Sequence, residues 1–390
     1  MLKYFNLLFI IIISLYSIHS YSHERLPTDD SLYSKILDEE RKLVIQLPKD
    51  YDLNKGLKYP VLYLLDGPSN MIHTSGTLDF INKNSLAPEL IIIGIANTDR
   101  GRDLTPIPTM QGEEEFGGGA DKFLDFMESE LLPYIDKKYR TQNYKILTGH
   151  SLGGLFVIHT LQSRPHLFQA HIAFSPSLQW ADKASVKPAM DFFNKTKDFN
   201  NYLYMNLGNE KGAMREGFDE LSALIKQKTI KGFKFDSELY ETETHMMTPY
   251  IGQFRALRSL YSNWNMNLET IGDDPLKDVE KHSQELSNQF GYQINPTEGT
   301  INNVGYYLLY QKENRQKAIE IFATNVKTYP KSANTYDSLA EAYEMNGEID
   351  KALEQMDIAL SLTEKSDRNF TVYSKHKDKL LKLAKQSDKK

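Results

Sequence analysis

The sequence of 390 residues contains no cysteine. This absence excludes a thiol nucleophile, a disulfide framework and a cysteine-ligated metal site. The chain also lacks a long block of charges of one sign, and its formal net charge is -6. Such a charge balance gives no reason to expect a nucleic acid as partner. Neither a His-Glu-x-x-His metal motif nor a phosphate-binding P-loop is present, so we expect no cofactor.

The overall composition is that of a globular protein. Hydrophobic residues make up 40% of the chain and charged residues 25%, which allows a sizeable core. The length suits two domains better than one.

The N-terminus resembles a secretory signal peptide. Lys3 precedes a largely apolar run from Tyr4 to Ile18, and Ser20 and Ser22 supply the small residues of a cleavage site. We expect residues 1–22 to be removed and the protein to be exported to the bacterial periplasm. The alternative is an uncleaved N-terminal membrane anchor, for which the apolar run is short.

Residues 26–262 alternate between short apolar runs and amphipathic stretches. Several runs are β-branched and continuously apolar, as in parallel strands that are covered on both faces. The predicted strands are Leu43–Leu47, Val61–Leu65, Ile91–Ala96, Lys145–Thr148, His171–Phe174 and Tyr202–Leu207. The predicted helices are Asp121–Tyr139, Leu152–Ser163, Gly217–Lys228 and Pro249–Asn263. This alternation predicts an α/β fold with a mostly parallel central sheet.

The chain changes character after residue 262. Residues 263–300 are polar and predict a linker with some helix, whereas residues 301–385 have a helical pattern. There, Lys317-Ala318-Ile319 and Lys351-Ala352-Leu353 lie 34 residues apart, the period of tetratricopeptide repeats. We therefore predict a tetratricopeptide-like all-α domain that binds a protein partner or mediates self-association. Two unrelated amphipathic hairpins are the alternative.

The motif Gly149-His150-Ser151-Leu152-Gly153 lies between a predicted strand and a predicted helix. It fits the nucleophile elbow of the α/β-hydrolase fold, in which a serine occupies a tight, strained strand-to-helix turn. Crowding at such a turn predicts that both flanking glycines lack room for a side chain. The alternative is a glycine-rich turn with an idle serine. The motif predicts Ser151 as a nucleophile.

A serine nucleophile needs a base, and this fold places its triad in the order Ser, acid, His. Among the later histidines, His245 alone follows a late strand-like run and precedes a helix, so we predict it as the base. The acid should follow the preceding strand, where Glu210 is the first carboxylate. A Ser-His dyad without a strong acid stays open, as do three competing carboxylates: Glu216, Asp219 and Glu220.

The oxyanion hole of such an enzyme needs two backbone N–H donors. Leu152, directly after the nucleophile, is one candidate. The other should come from the loop after Val61–Leu65, where Pro68 has no N–H. Gly67 and Ser69 are left, and both remain candidates.

Further ordered blocks carry a resemblance to a known family. They are Tyr63-Leu64-Leu65-Asp66-Gly67, Ile93-Gly94-Ile95-Ala96-Asn97, Glu130-Leu131-Leu132-Pro133-Tyr134-Ile135, Phe174-Ser175-Pro176-Ser177 and Glu243-Thr244-His245. With the elbow, they make residues 36–262 resemble a family of α/β-hydrolase esterases. That family includes enterochelin (ferric siderophore) esterases, feruloyl and acetylxylan esterases, and S-formylglutathione hydrolases.

The arginine-rich loop over residues 99–103 favours the siderophore-type branch. The resemblance implies that Arg100 or Arg102 meets an anionic ferric catecholate, since a guanidinium suits delocalised negative oxygen. The alternative is that one of them pairs with Asp99 or Asp103 and shapes the loop. Trp180 is placed to line the site or, equally, to pack in the core.

Together these features predict an exported serine esterase that acts on small-molecule carboxylic esters, those of siderophores among them. A feruloyl or acetyl-sugar esterase is one alternative. The other is an interaction protein that uses its tetratricopeptide-like region, with the hydrolase domain as a non-catalytic scaffold.

Overall fold

The computed structural model describes residues 26–49, 51–52 and 55–387 of the chain. The expected signal peptide, residues 1–22, lies outside these ranges. Within them, no helix is both long and apolar enough to span a bilayer.

An eight-stranded sheet forms the centre of the N-terminal part, and a two-stranded antiparallel hairpin is separate from it. In chain order the strands are β1 (Thr28–Ser34), β2 (Glu39–Gln46), β3 (Tyr59–Leu64), β4 (Ile91–Ile95), β5 (Pro108–Gln111), β6 (Glu114–Gly117), β7 (Thr141–His150), β8 (Ala170–Phe174), β9 (Asp198–Leu207) and β10 (Lys231–Leu239). The spatial order of the large sheet is β1-β2-β4-β3-β7-β8-β9-β10. All neighbours from β4 to β10 are parallel, and only β1 and β2 add antiparallel pairs. The predicted fold class is confirmed.

Each predicted strand coincides with one of the strands β2, β3, β4, β7, β8 and β9. No apolar run predicts β1 or the hairpin, because their residues are mostly exposed or half-buried. β1 lies at the edge of the sheet, where one flank and one face meet water, so its sequence carries charge instead of a continuous apolar run.

The helices of the described residues are α1 (Gly67–Lys83), α2 (Arg100–Leu104), α3 (Ala120–Phe126), α4 (Leu132–Lys138), α5 (Leu152–Ser163), α6 (Trp180–Lys183), α7 (Val186–Lys195), α8 (Ala213–Lys226), α9 (Thr248–Leu260), α10 (Pro275–Phe290), α11 (Glu298–Tyr306), α12 (Arg315–Thr328), α13 (Ala333–Met345), α14 (Ile349–Ser361) and α15 (Arg368–Ser387). A π-helical turn, Met127–Leu131, joins α3 to α4, so the predicted helix over residues 121–139 is continuous in the structure. A second π-helical turn, Tyr307–Gln311, extends α11.

Both faces of the sheet are covered, because successive side chains of a strand point to opposite sides. In β3, Val61 and Tyr63 join a core with residues of α3 and α5. Their neighbours Leu62 and Leu64 join a second core with residues of α1 and α9. Helices α1 and α5 therefore lie on opposite faces of the sheet. Both begin at the same end of it, where the carboxyl ends of the parallel strands lie.

The segment predicted as a linker contains the packed helix α10. This helix ends before Gly291, whose positive φ of 71° terminates it. Phe290 packs its ring against Tyr144 and Tyr261, with centroids 5.1 Å apart in both pairs. The C-terminal end of α10 thus joins the core on this face of the sheet through Leu286 and Phe290, while Val279 joins the core of the C-terminal helices. The boundaries proposed at residues 262 and 300 stay predictions.

The C-terminal part is all-helical from α11 to α15, as the sequence predicts. Consecutive helices pack on one another, with Phe322 and Leu339 in one apolar cluster and Ala340 and Met356 in the next. The identification of these helices as tetratricopeptide repeats stays a prediction.

Candidate active site

Ser151 lies at the turn where β7 ends and α5 begins. Its φ of 61° and ψ of -115° lie in a region that a residue with a side chain rarely adopts. Hydrogen bonds fix this backbone: Ser151 N donates to Phe174 O (3.0 Å), and Ser151 O accepts from the N–H groups of Leu155 (2.9 Å) and Ser177 (3.0 Å). The strained serine is thus held from both sides by the sheet and by the new helix.

The glycines around Ser151 differ in how strictly the structure needs them. A Cβ on Gly149 would come within 2.6 Å of the backbone of Gly153, and one on Gly154 within 2.9 Å of Phe174 O. At Gly153 the nearest atom to an added Cβ, Asp66 Oδ2, would be 3.4 Å away, which is ordinary contact. The expectation that both flanking glycines lack room therefore holds for Gly149 and is wrong for Gly153.

His245 and Glu210 meet at the same edge of the sheet. Glu210 lies in the loop after β9 and His245 in the loop after β10, and Asn209 N donates to Glu243 O (2.8 Å) to tie the two loops together. His245 Nδ1 lies 2.6 Å from Glu210 Oε1. Because a carboxylate only accepts, Nδ1 is the nitrogen that carries the proton in this contact, and Nε2 faces away from the carboxylate.

The carboxylate of Glu210 is suited to stay ionised beside this histidine. Burial raises the pKa of Glu210, but polar contacts with the Ser175 hydroxyl and with His245 outweigh burial, and the net shift lowers the pKa. The three competing acids are engaged elsewhere. Asp219 pairs with Arg215 (2.8 Å), and Glu216 and Glu220 pair with Lys183 (3.5 and 2.8 Å).

The hydroxyl of Ser151 points to a second serine. Its Oγ lies 3.2 Å from Ser177 Oγ, and among the described residues it forms no hydrogen bond with His245. Apo geometry of this kind is common, because catalytic hydrogen bonds often align only when substrate is bound. Ser177 belongs to the block Phe174-Ser175-Pro176-Ser177, which carries part of the family resemblance. Nothing in that block predicts this contact.

His150 is a further residue of the site for which the sequence offers no signal beyond its place in the elbow. Its Nε2 donates to the carbonyl oxygen of His245 (2.9 Å), and the two rings lie 4.5 Å apart. Burial, with His245 nearby, lowers the pKa of His150 to about 4, so the ring is neutral at neutral pH. It links the elbow directly to the loop of His245.

The backbone favours one of the two candidates for the second oxyanion donor. Ser69 N already donates to Asp66 O (3.1 Å) in the first turn of α1. The N–H of Gly67, the first residue of that helix, has no acceptor among the described residues. Leu152 likewise begins α5, where the first N–H groups lack intrahelical partners.

The three residues predicted to contact the substrate, Arg100, Arg102 and Trp180, lie in different surroundings. Arg102 pairs with Glu39 (2.6 Å) and Asp103 (2.7 Å), so it shapes the loop, as the alternative interpretation expects. The indole N–H of Trp180 donates to Ile107 O (2.7 Å), which packs the ring beside the β5–β6 hairpin. Arg100, by contrast, lies at the elbow itself.

No group of three or more His, Asp and Glu side chains within the described ranges has an arrangement that would hold a metal ion. The chemistry that the residues themselves offer is that of a serine, a histidine and a carboxylate on one sheet edge.

Comparisons with known proteins agree with this geometry. Residues 34–246, more than half of the chain, match the family described as "Putative esterase". The chain is 30% identical over 230 residues to the ferri-bacillibactin esterase BesA of Bacillus subtilis, a match that spans 51% of this chain and 78% of that protein.

Solved structures extend the likeness. An IroE-like serine hydrolase from Shewanella oneidensis superposes with a TM-score of 0.65 at 29% identity, covering 76% of this chain and 98% of its own. An uncharacterised protein from Capnocytophaga ochracea shares the fold with a TM-score of 0.58 at 15% identity, covering 91% of this chain and 99% of its own. This protein therefore belongs to the esterase family matched over residues 34–246, and it is an ester-hydrolysing enzyme.

Proposed function

We propose that the protein hydrolyses carboxylic esters by a Ser151–His245–Glu210 triad. The observation that carries this proposal is the 2.6 Å contact between His245 Nδ1 and Glu210 Oε1. It lies at the sheet edge where Ser151 adopts its strained conformation. Ser151, Glu210 and His245 follow strands β7, β9 and β10, in the order Ser, acid, His that the fold requires.

In this mechanism, Ser151 Oγ attacks the ester carbonyl while Nε2 of His245 accepts the hydroxyl proton. Glu210 holds the tautomer and stabilises the imidazolium that forms. The N–H groups of Leu152 and Gly67 receive the oxyanion, with the N-terminal dipole of α5 adding to the stabilisation. The imidazolium returns its proton to the leaving alcohol, and water repeats the sequence on the acyl-enzyme.

Esters of ferric siderophores are the substrate class that we propose first. BesA is a ferri-bacillibactin esterase, and a second relative, 31% identical over 150 residues, is the siderophore triacetylfusarinine C esterase of Aspergillus fumigatus. The chain matches 51% of the length of that second protein.

A second candidate is an ester with an aryl or other apolar group, such as a feruloyl ester. It is favoured by exposed apolar side chains on and after the turn that bears His245: Met246 is 66% exposed, Met247 43% and Tyr250 51%. Tyr250 stacks on His73 of α1, with ring centroids 4.2 Å apart. An aromatic substituent would find a suitable surface here.

Three further proposals concern the whole chain. Residues 1–22 direct export, which the intact mass of the secreted protein would test.

Residues 301–385 form a tetratricopeptide-like array. The 34-residue spacing between the starts of α12 and α14 supports this proposal. The array recruits a protein partner or a second copy of the chain. A truncation that tests this role should keep α10, because Phe290 packs on Tyr261.

The decisive experiment compares the mature protein with Ser151→Ala on p-nitrophenyl acetate, a feruloyl ester and a ferric trilactone siderophore. We expect Ser151→Ala to lose on the order of a thousandfold or more in kcat, and the substrate with the highest kcat/KM to identify the class. Equal turnover by Ser151→Ala and wild type would overturn the triad proposal.

A further inference from the structure

The guanidinium of Arg100 is bound within the protein on two sides. Its Nε donates to Asp66 Oδ1 (2.7 Å) and one Nη to Asp66 Oδ2 (3.0 Å), a fork-to-fork pair. The same Nη also donates to His150 O (3.1 Å). Asn97 Nδ2 donates to Asp66 Oδ1 (2.5 Å), so the carboxylate is held from two directions.

These contacts join the two backbone segments that carry the oxyanion donors. Asp66 immediately precedes Gly67, and His150 is two residues before Leu152 in the elbow. Asp66 itself has a left-handed backbone, with φ 54° and ψ 39°. That conformation turns the chain from β3 into α1. It is unfavourable for a residue with a side chain, and the hydrogen bonds to the Asp66 carboxylate hold it in place.

Close packing leaves this turn little freedom elsewhere. A Cβ on Gly67 would come within 2.4 Å of the backbone of Gly94 in β4. The loop of Gly67 is therefore pressed against β4 on one side and tied to the elbow by Arg100 on the other. A shift of either segment would change the distance between the two N–H donors, on which stabilisation of an oxyanion depends.

We propose that Arg100 and Asp66 are positioning residues of the oxyanion hole. The pair fixes Gly67 relative to Leu152. The charge of Arg100 is paired with Asp66 and does not bind an anionic substrate. This inference rests on the proposed function, since it needs Ser151 to form an oxyanion. It differs from the role that the family resemblance implies for Arg100.

The test separates positioning from substrate binding by the charge of the ester. Arg100→Gln and Arg100→Lys are assayed on neutral p-nitrophenyl acetate and on anionic mono-p-nitrophenyl succinate. We expect kcat to fall about ten- to a hundredfold on both esters, with KM little changed, because each variant breaks the fork. Lysine keeps the charge, so a substrate-anion role predicts rescue by Arg100→Lys.

A trifluoromethyl ketone, whose hemiketal oxygen mimics the oxyanion, supplies a second readout. Its affinity should fall by the same factor as kcat/KM in Asp66→Asn and Arg100→Gln. Arg164→Gln is the matched control, because Arg164 is also half-buried and pairs with two carboxylates, Asp125 and Glu128, away from the site. It should keep wild-type kcat, and circular dichroism should find all variants folded.

Two results would overturn the inference: an effect confined to KM for the anionic ester, or unchanged kcat on both esters in Arg100→Gln. Neither would count against the triad, which Ser151→Ala tests separately on the same esters. Failure of the triad proposal, in turn, would appear as equal turnover by Ser151→Ala and wild type.

Discussion

Two histidines of this protein pair with carboxylates in different ways. His245, in a loop at the sheet edge, contacts one carboxylate through Nδ1 and keeps Nε2 without a carboxylate. His376, on α15, lies between two carboxylates of α13: Nδ1 is 2.7 Å from Asp337 and Nε2 is 3.1 Å from Glu344. The comparison teaches that a His–carboxylate contact is not itself a sign of catalysis. The proposed mechanism also requires that the second ring nitrogen be left available to carry a proton beside the serine.

The surroundings of the two rings strengthen this contrast. Beside His245 lie the strained Ser151 turn and the neutral ring of His150. His376 instead fastens the last helix of the C-terminal part to α13, and Lys379 of the same helix pairs with the second oxygen of Glu344 (2.5 Å). In the proposed mechanism, the ring of His245 changes its protonation during the reaction, whereas the ring of His376 forms a contact between helices.

The sharpest way to break the comparison is to remove each ring. His245→Ala should lose on the order of a thousandfold in kcat on p-nitrophenyl acetate, since the serine loses its base. His376→Ala should keep the wild-type kcat. Steady-state kinetics at pH 7.5 measure both, and a comparable loss in the two variants would contradict the assignment of roles.

Glu210→Gln should cost about a hundredfold or more in kcat, because the amide can donate to Nδ1 and favour the wrong tautomer. Glu220→Gln is the control, since Glu220 on α8 pairs with Lys183 on α6 and has no contact with His245. We expect KM to change little in either variant. Wild-type kcat in Glu210→Gln would leave a Ser-His dyad as the better description.

His150→Leu should reduce kcat about tenfold, because the loop of His245 loses the hydrogen bond to its carbonyl oxygen and the imidazole shifts. His150→Gln retains a donor of similar reach and should recover most of the rate. If the two variants have the same kcat, the hydrogen bond to His245 O does not position the base.

The pH dependence of stability should reveal the role of His376. Burial by itself lowers the pKa of His376, but Asp337 and Glu344 outweigh burial and raise the pKa above its usual 6.5. The stabilisation is therefore complete below pH 6.5 and is lost as the pH rises through the folded-state pKa. His376→Asn should lose about 1–3 kcal/mol of stability at pH 5.5 and less at pH 8.5.

Thermal unfolding of wild type and His376→Asn at the two pH values measures this difference. Comparing the two proteins at each pH cancels the contribution of His150 and of the fully buried His171. The pKa values of those two histidines are lowered to about 4 by burial, so both destabilise the fold as the pH falls below 6.5. An equal gap in Tm at both pH values would argue against a charged His376.

Local patterns in the sequence carry much of this description. The buried parallel strands could be predicted because strands covered on both faces need continuous apolar runs, as in β4. The strained turn at Ser151 could be predicted because the elbow is a local strand-to-helix turn that needs a glycine at position 149. Strand β1 and helix α1 could not, since an exposed edge strand and a helix with weak apolar periodicity leave no such pattern.

The sequence by itself determined the α/β order of the elements and the elbow motif around Ser151. It also gave a short list of candidate acids and bases that follow this motif in the chain. These follow from local chemistry, which a linear pattern preserves. The tertiary structure alone decided that Glu210 meets His245, that Ser69 N is already used, and that Asp66 neutralises Arg100. Each of these depends on distances between loops that parallel strands bring to one edge, and spacing along the chain does not record such distances.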